Sequence, residues 1–102
     1  MAVTLQVLYP ITEGSTFDDA YYTSTHLPLV DTYMGAHMQS MTASKGLAGG
    51  PDVPPAFHVV ATLVFPDMEA LQAALGGAGP VLADIPKFTN AAPTMLIGEV
   101  MA

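Results

Sequence analysis

At 102 residues the chain has the length of a single domain. It is 51% hydrophobic and only 11% charged, more apolar than a lone small domain covers comfortably, so a partner is expected, most simply a second copy. Nine acidic residues stand against Lys45 and Lys87 alone, a net charge of −7 that argues against nucleic acid and anionic membrane as partners. The absence of cysteine removes disulfides and thiolate chemistry.

Val3 to Tyr9 alternates apolar and polar residues, which predicts a half-buried strand. No basic leader precedes it and no apolar run reaches about 18 residues, so a cytoplasmic protein is expected rather than a secreted or membrane-spanning one. Pro10 to Thr16 is a loop, and Ser15 or Thr16 can cap the helix that follows, with Asp18 and Asp19 suited to its positive end. That helix is expected to reach about Met34 and stop at Gly35.

Pro28 interrupts it. Proline cannot donate to the carbonyl of Ser24 and its ring crowds that carbonyl, so a kink or a restart is expected at the joint, where His26 lies. Tyr22, His26, Leu29 and Tyr33 follow helical spacing and are expected on one face.

A second strand is predicted over Ala36 to Ser44, and an irregular loop over Gly46 to Ala56, which holds three glycines and three prolines. Phe57 to Phe65 is the strongest strand, apolar on both faces. Asp67 can cap a short helix to Leu75, with Met68, Leu71 and Leu75 inward. Val81 to Phe88 reads as a helical turn and connector, and Met95 to Met101 as a last strand. The order βαββαβ predicts an α+β, ferredoxin-like domain over residues 1–102, with one antiparallel sheet and both helices on one face. Its other sheet face lacks cover, and two such faces together would make a homodimeric α+β barrel.

His26 is the leading chemical candidate. An imidazole's ordinary pKa of about 6.5 suits proton transfer in a pocket between helix and sheet. The competing reading is structural: a histidine satisfying a backbone carbonyl freed by Pro28. Tyr22 and Tyr33 could bind a substrate oxygen or orient the imidazole, or simply pack on the sheet. Asp84 could carry charge into the pocket or cap a turn. His37 and His58 show no metal-ligand spacing with His26, so no metal is expected, and no glycine-rich nucleotide loop is present.

Several segments in order carry a resemblance: Leu8-Tyr9-Pro10, Phe17-Asp18 with Tyr21-Tyr22, His26-Leu27-Pro28-Leu29, Lys45-Gly46-Leu47, Phe57-His58, and Asp84 through Thr89. Together they resemble the EthD family of the dimeric α+β barrel group. The sheet faces, the candidate residues and this resemblance together give the expectation of a homodimer binding a hydrophobic, oxygenated small molecule without cofactor, as an oxidoreductase or isomerase-type enzyme of catabolism or secondary metabolism. His26 would be its general acid/base, with Tyr22, Tyr33, Asp84 and Phe88 binding substrate. The alternative is a non-catalytic binder or accessory protein for a partner oxygenase.

Overall fold

The computed structural model describes residues 1–102. Its strands are β1 (Val3–Pro10), β2 (Ser40–Lys45), β3 (Phe57–Phe65) and β4 (Thr94–Glu99). They form one antiparallel sheet in the order β2–β3–β1–β4, the ferredoxin-like arrangement the element order predicts. Between β1 and β2 run α1 (Asp19–Tyr21), a π-helical segment (Tyr22–His26), α2 (Leu27–Met34) and a 3-10 turn (Gly35–His37). Between β3 and β4 run α3 (Met68–Gly76), α4 (Gly79–Asp84) and a second 3-10 turn (Ile85–Lys87).

Period-two alternation decides which side of the sheet is covered. Leu5 pairs with Leu63 and Ile97, and Val7 with Ala61 and Met95, so these residues share one face. The helices pack there, and Val3, Leu5, Leu63 and Phe65 meet Val30, Met34, Leu71, Ala74 and Val81 in the main core. Full burial of each large aliphatic or aromatic side chain is worth about 1.5–3 kcal/mol relative to leaving it exposed. A second apolar cluster of Tyr9, Tyr22, Val59, Ile85 and Phe88 fills the other end of the same face.

The helix around Pro28 departs from the expectation. It neither kinks apart nor frees its backbone, because a π turn absorbs the proline. The Leu27 N–H bonds to the carbonyl of Tyr22, five residues back, and Tyr22, His26 and Leu27 all keep helical dihedrals. Pro28 then falls in the first turn of α2, where its missing N–H costs little. The wider turn changes the phase of everything after it. The buried stripe is Tyr22, His26, Val30 and Met34, spaced by four throughout, in place of Tyr22, His26, Leu29 and Tyr33. Tyr33 is thereby turned outward, 44% exposed.

Smaller differences have local causes. Asp18, not Ser15 or Thr16, is the N-cap of α1, its Oδ1 accepting from the Tyr21 N–H at 3.0 Å. Ser15 instead holds the loop, its Oγ 2.9 Å from both the Thr12 N–H and His58 Nε2. The second strand begins at Ser40, because residues 35–37 prolong the helix as a 3-10 turn. Asp67 caps α3 as expected, accepting from the Ala70 N–H at 2.9 Å. Its buried residues are Leu71 and Ala74, while Met68 is 42% exposed. Residues 46–56 form no helix or strand, only an isolated bridge between Gly50 and Val53. Gly46 is required where that loop leaves β2: its N–H bonds the His58 carbonyl at 2.9 Å, and a Cβ there would collide with the carbonyl oxygen of Phe57.

Candidate active site

The π segment ends on His26 and α4 ends on Asp84, and the packing brings these ends together. The chain after α4 is tied to the start of α1. The Asp18 N–H donates to the Phe88 carbonyl at 2.7 Å, and Thr89 Oγ1 donates to the Thr16 carbonyl at 2.6 Å. Within that frame His26 Nδ1 lies 3.0 Å from Asp84 Oδ2, and both residues are buried. The Tyr21 hydroxyl donates to the other carboxylate oxygen, Oδ1, at 2.7 Å. Lys87 Nζ stands 3.9 Å from Oδ1, on a largely exposed side chain. Rings hold the imidazole on two sides: Tyr22 is near-parallel to it at 5.5 Å and Phe88 is tilted against it at 4.4 Å.

Burial alone would raise the Asp84 pKa. Hydrogen bonds from His26 and Tyr21, with the charges of His26 and Lys87, more than offset that, and its carboxyl is held below the usual 3.8. An ionised carboxylate can only accept, so Nδ1 carries a proton toward it, and an imidazole in that tautomer has its other nitrogen, Nε2, for any further partner. Nε2 has no hydrogen-bond partner in the protein, yet no sealed side-chain nitrogen or oxygen is left unpaired, so this nitrogen has open space beside it.

His26 lines a small cavity of about 40 Å³ between the helices and the covered sheet face. Seventeen residues line it and sixteen are hydrophobic, His26 being the exception. Leu5, Val7, Ala61 and Leu63 form the floor, and Leu27, Val30, Met34 and Val81 the roof. Leu82 and Met95 also line it and are 46% and 44% exposed, which places them at the mouth. Tyr9 and Tyr22 complete the wall next to His26. Burial pushes both phenols up, Tyr22 to about 12 and Tyr9 further, so they face the cavity as neutral groups.

The candidates picked from sequence therefore separate. His26 and Tyr22 line the cavity. Asp84 and Phe88 adjoin His26 and do not line the cavity; Asp84 is bonded to the imidazole and the Tyr21 hydroxyl, and so fixes the orientation of the ring. Tyr33 does not line the cavity and is 44% exposed. His26 Nδ1 meets a carboxylate and not a freed backbone carbonyl. Tyr21 is the residue missed: it sits beside Tyr22 in a segment that carries the resemblance, and a carboxylate in an apolar stretch needs a donor of that kind. His58 and His37 lie elsewhere, the first bonded to Ser15 and the second exposed in the 3-10 turn, and no three histidine, aspartate or glutamate side chains converge as a metal site. No helix is long and apolar enough to cross a membrane.

The four-stranded antiparallel sheet with single-sided helical cover defines an α+β protein of ferredoxin-like fold. The model of the EthD domain matches residues 14–92, and the chain belongs to the EthD family. An EthD-like protein from Ralstonia eutropha JMP134 is similar, with 37% identity and a TM-score of 0.89 over 99% of this chain and 93% of that one. An EthD family protein from Bacillus halodurans C-125 has 29% identity and a TM-score of 0.78, covering 99% of this chain and all of the other (100%). SnoaB, a cofactor-independent oxygenase from Streptomyces nogalater, shares the fold, with a TM-score of 0.62 at 13% identity over 98% of this chain and 95% of that one. Among curated proteins none matches the chain.

Proposed function

We propose that this EthD protein is an enzyme needing no cofactor, of catabolism or secondary metabolism, in which His26 moves a proton on an apolar, oxygenated small molecule. One observation carries the reading: His26 lines the apolar cavity with Nδ1 held 3.0 Å from Asp84 and Nε2 without a partner in the protein. A histidine oriented by a buried carboxylate is the usual form of a general base, and such a base contributes about 10²–10⁴-fold to rate.

Nε2 takes a proton from a phenol or from carbon beside a carbonyl. The imidazolium so formed is stabilised by Asp84, and Tyr21 and Lys87 keep Asp84 ionised. Return of the proton to a different carbon is isomerisation. In the oxidative variant dioxygen is the co-substrate: a methylene of the deprotonated substrate becomes a carbonyl, with one oxygen atom entering product and the other leaving as water. The shared fold of SnoaB supports an oxidative variant by analogy only.

Phenolic, ketonic and lactone compounds are first screened by thermal shift, since binding to the folded state stabilises it by mass action. Turnover of the compounds that bind is then compared in wild type and His26→Gln. Glutamine keeps a donor and an acceptor but cannot carry a proton at neutral pH. Loss of turnover with binding and melting temperature retained is the expected result. Full turnover in the variant ends the catalytic reading and leaves a ligand-binding accessory protein.

A further inference from the structure

We infer that the cavity accepts uncharged ligands and rejects carboxylates, and that Asp84 sets this selectivity. The inference rests on the cavity proposed above as the substrate site, and it adds the charge class of what enters it. No lysine or arginine lines the cavity. Lys45 is engaged by Asp19 on the surface, and Lys87 reaches only the solvent side of Asp84. The one group that can become positive inside is His26, and it already has a carboxylate 3.0 Å away. A ligand carboxylate placed at Nε2 would therefore give two buried negative charges sharing one imidazolium, with hydrocarbon on the remaining sides. A neutral hydroxyl or carbonyl at the same point needs only a hydrogen bond. Tyr9 and Tyr22, as neutral phenols, can complete contacts to such an oxygen but cannot balance an anion.

Three probes with the same ring and methyl group separate charge from shape: para-cresol and para-toluamide, both neutral, and para-toluate, an anion. Binding is followed by NMR through the ring C–H signals of His26, which also locates the ligand. The expected result is that both neutral probes move those signals, and that toluate binds at least about 30-fold more weakly. In Asp84→Asn the imidazolium has no internal counter-ion, so toluate should bind about tenfold tighter than to wild type, with cresol within about threefold. Toluate binding to wild type as well as cresol does, failure of both neutral probes to move the His26 signals, or a folded Asp84→Asn protein with unimproved toluate binding each overturns the inference. If Asp84→Asn does not fold, the comparison of toluamide with toluate in wild type decides the charge preference, and toluate binding in Asp84→Ser, which also removes the carboxylate, decides the role of Asp84. Retained turnover in His26→Gln would remove the catalytic role alone and leave this charge preference standing, so the two failures are distinct.

Discussion

His26 Nδ1 and Asp84 Oδ2 are 3.0 Å apart and 58 residues apart along the chain. This pairing divides the imidazole into a tethered nitrogen and a free one, and most of what can be tested follows from the division.

Tyr21 acts on His26 through Asp84. Tyr21→Phe removes the 2.7 Å hydrogen bond to Oδ1 and keeps the ring, which lies near-parallel to Phe88 at 6.3 Å. As a positioning residue it should show turnover reduced about three- to tenfold, with substrate affinity little changed. The Asp84 carboxyl signal, followed by NMR titration, should move to higher pH in the variant, an effect that simple packing loss does not produce. Unchanged kinetics together with an unchanged Asp84 titration would show that the hydroxyl has no positioning role.

Acid should act on the same carboxylate. Its folded-state pKa lies below the usual 3.8, so in acid the unfolded chain binds the extra proton and the folded one does not. The stability this group contributes is present in full above its unfolded value and is lost as pH falls through its folded value. Melting temperature, measured from about pH 6 down to pH 2, should fall less steeply below about pH 4 in Asp84→Asn than in wild type. Parallel curves for the two proteins would show that Asp84 does not make this contribution.

Tyr22 separates ring from hydroxyl. Its ring packs on His26, Phe17, Tyr9 and Phe88, and its phenol, at about 12, cannot serve as a base near neutral pH. Tyr22→Phe should keep the fold and most of the turnover, changing substrate affinity by no more than the one hydrogen bond it can lose. Tyr22→Ala should cost about 3–5 kcal/mol in chemical denaturation, as large buried aromatics do. Abolished turnover in a stable Tyr22→Phe protein would make the hydroxyl catalytic.

Gly46 tests the exit from β2. An added methyl meets the backbone of Phe57, which cannot rotate away as a side chain can. Gly46→Ala should destabilise by about 1–3 kcal/mol, read from the urea midpoint. A neutral substitution there would mean that the strand end shifts freely.

The uncovered sheet face predicts a homodimer. Leu8, Val60 and Val64 are only half-buried on that face, and Leu96 of β4, which pairs with Gln6 there, is 55% exposed. An interface burying on the order of 2,000 Å² would cover them. Sedimentation velocity at micromolar concentration should give a dimer, and Leu96→Glu should shift it toward monomer. A folded wild-type monomer under those conditions would remove the expectation.

The element order, the single-sided sheet and the place of His26 on a buried face were legible in the residues, because period-two and helical periodicities are local properties of the chain. So was the family resemblance, carried by short segments in order. The phase of the helix beyond His26 was not legible: one π turn shifts the stripe from Leu29 and Tyr33 to Val30 and Met34, and only packing against the sheet selects that turn over a kink. Nor did the sequence show what Asp84 does. A carboxylate in a short connector reads alike as a turn cap, a surface charge or a ligand. Its partners, His26 and Tyr21, are set by how the end of α4 docks on the π segment, a contact between distant stretches that no local pattern encodes.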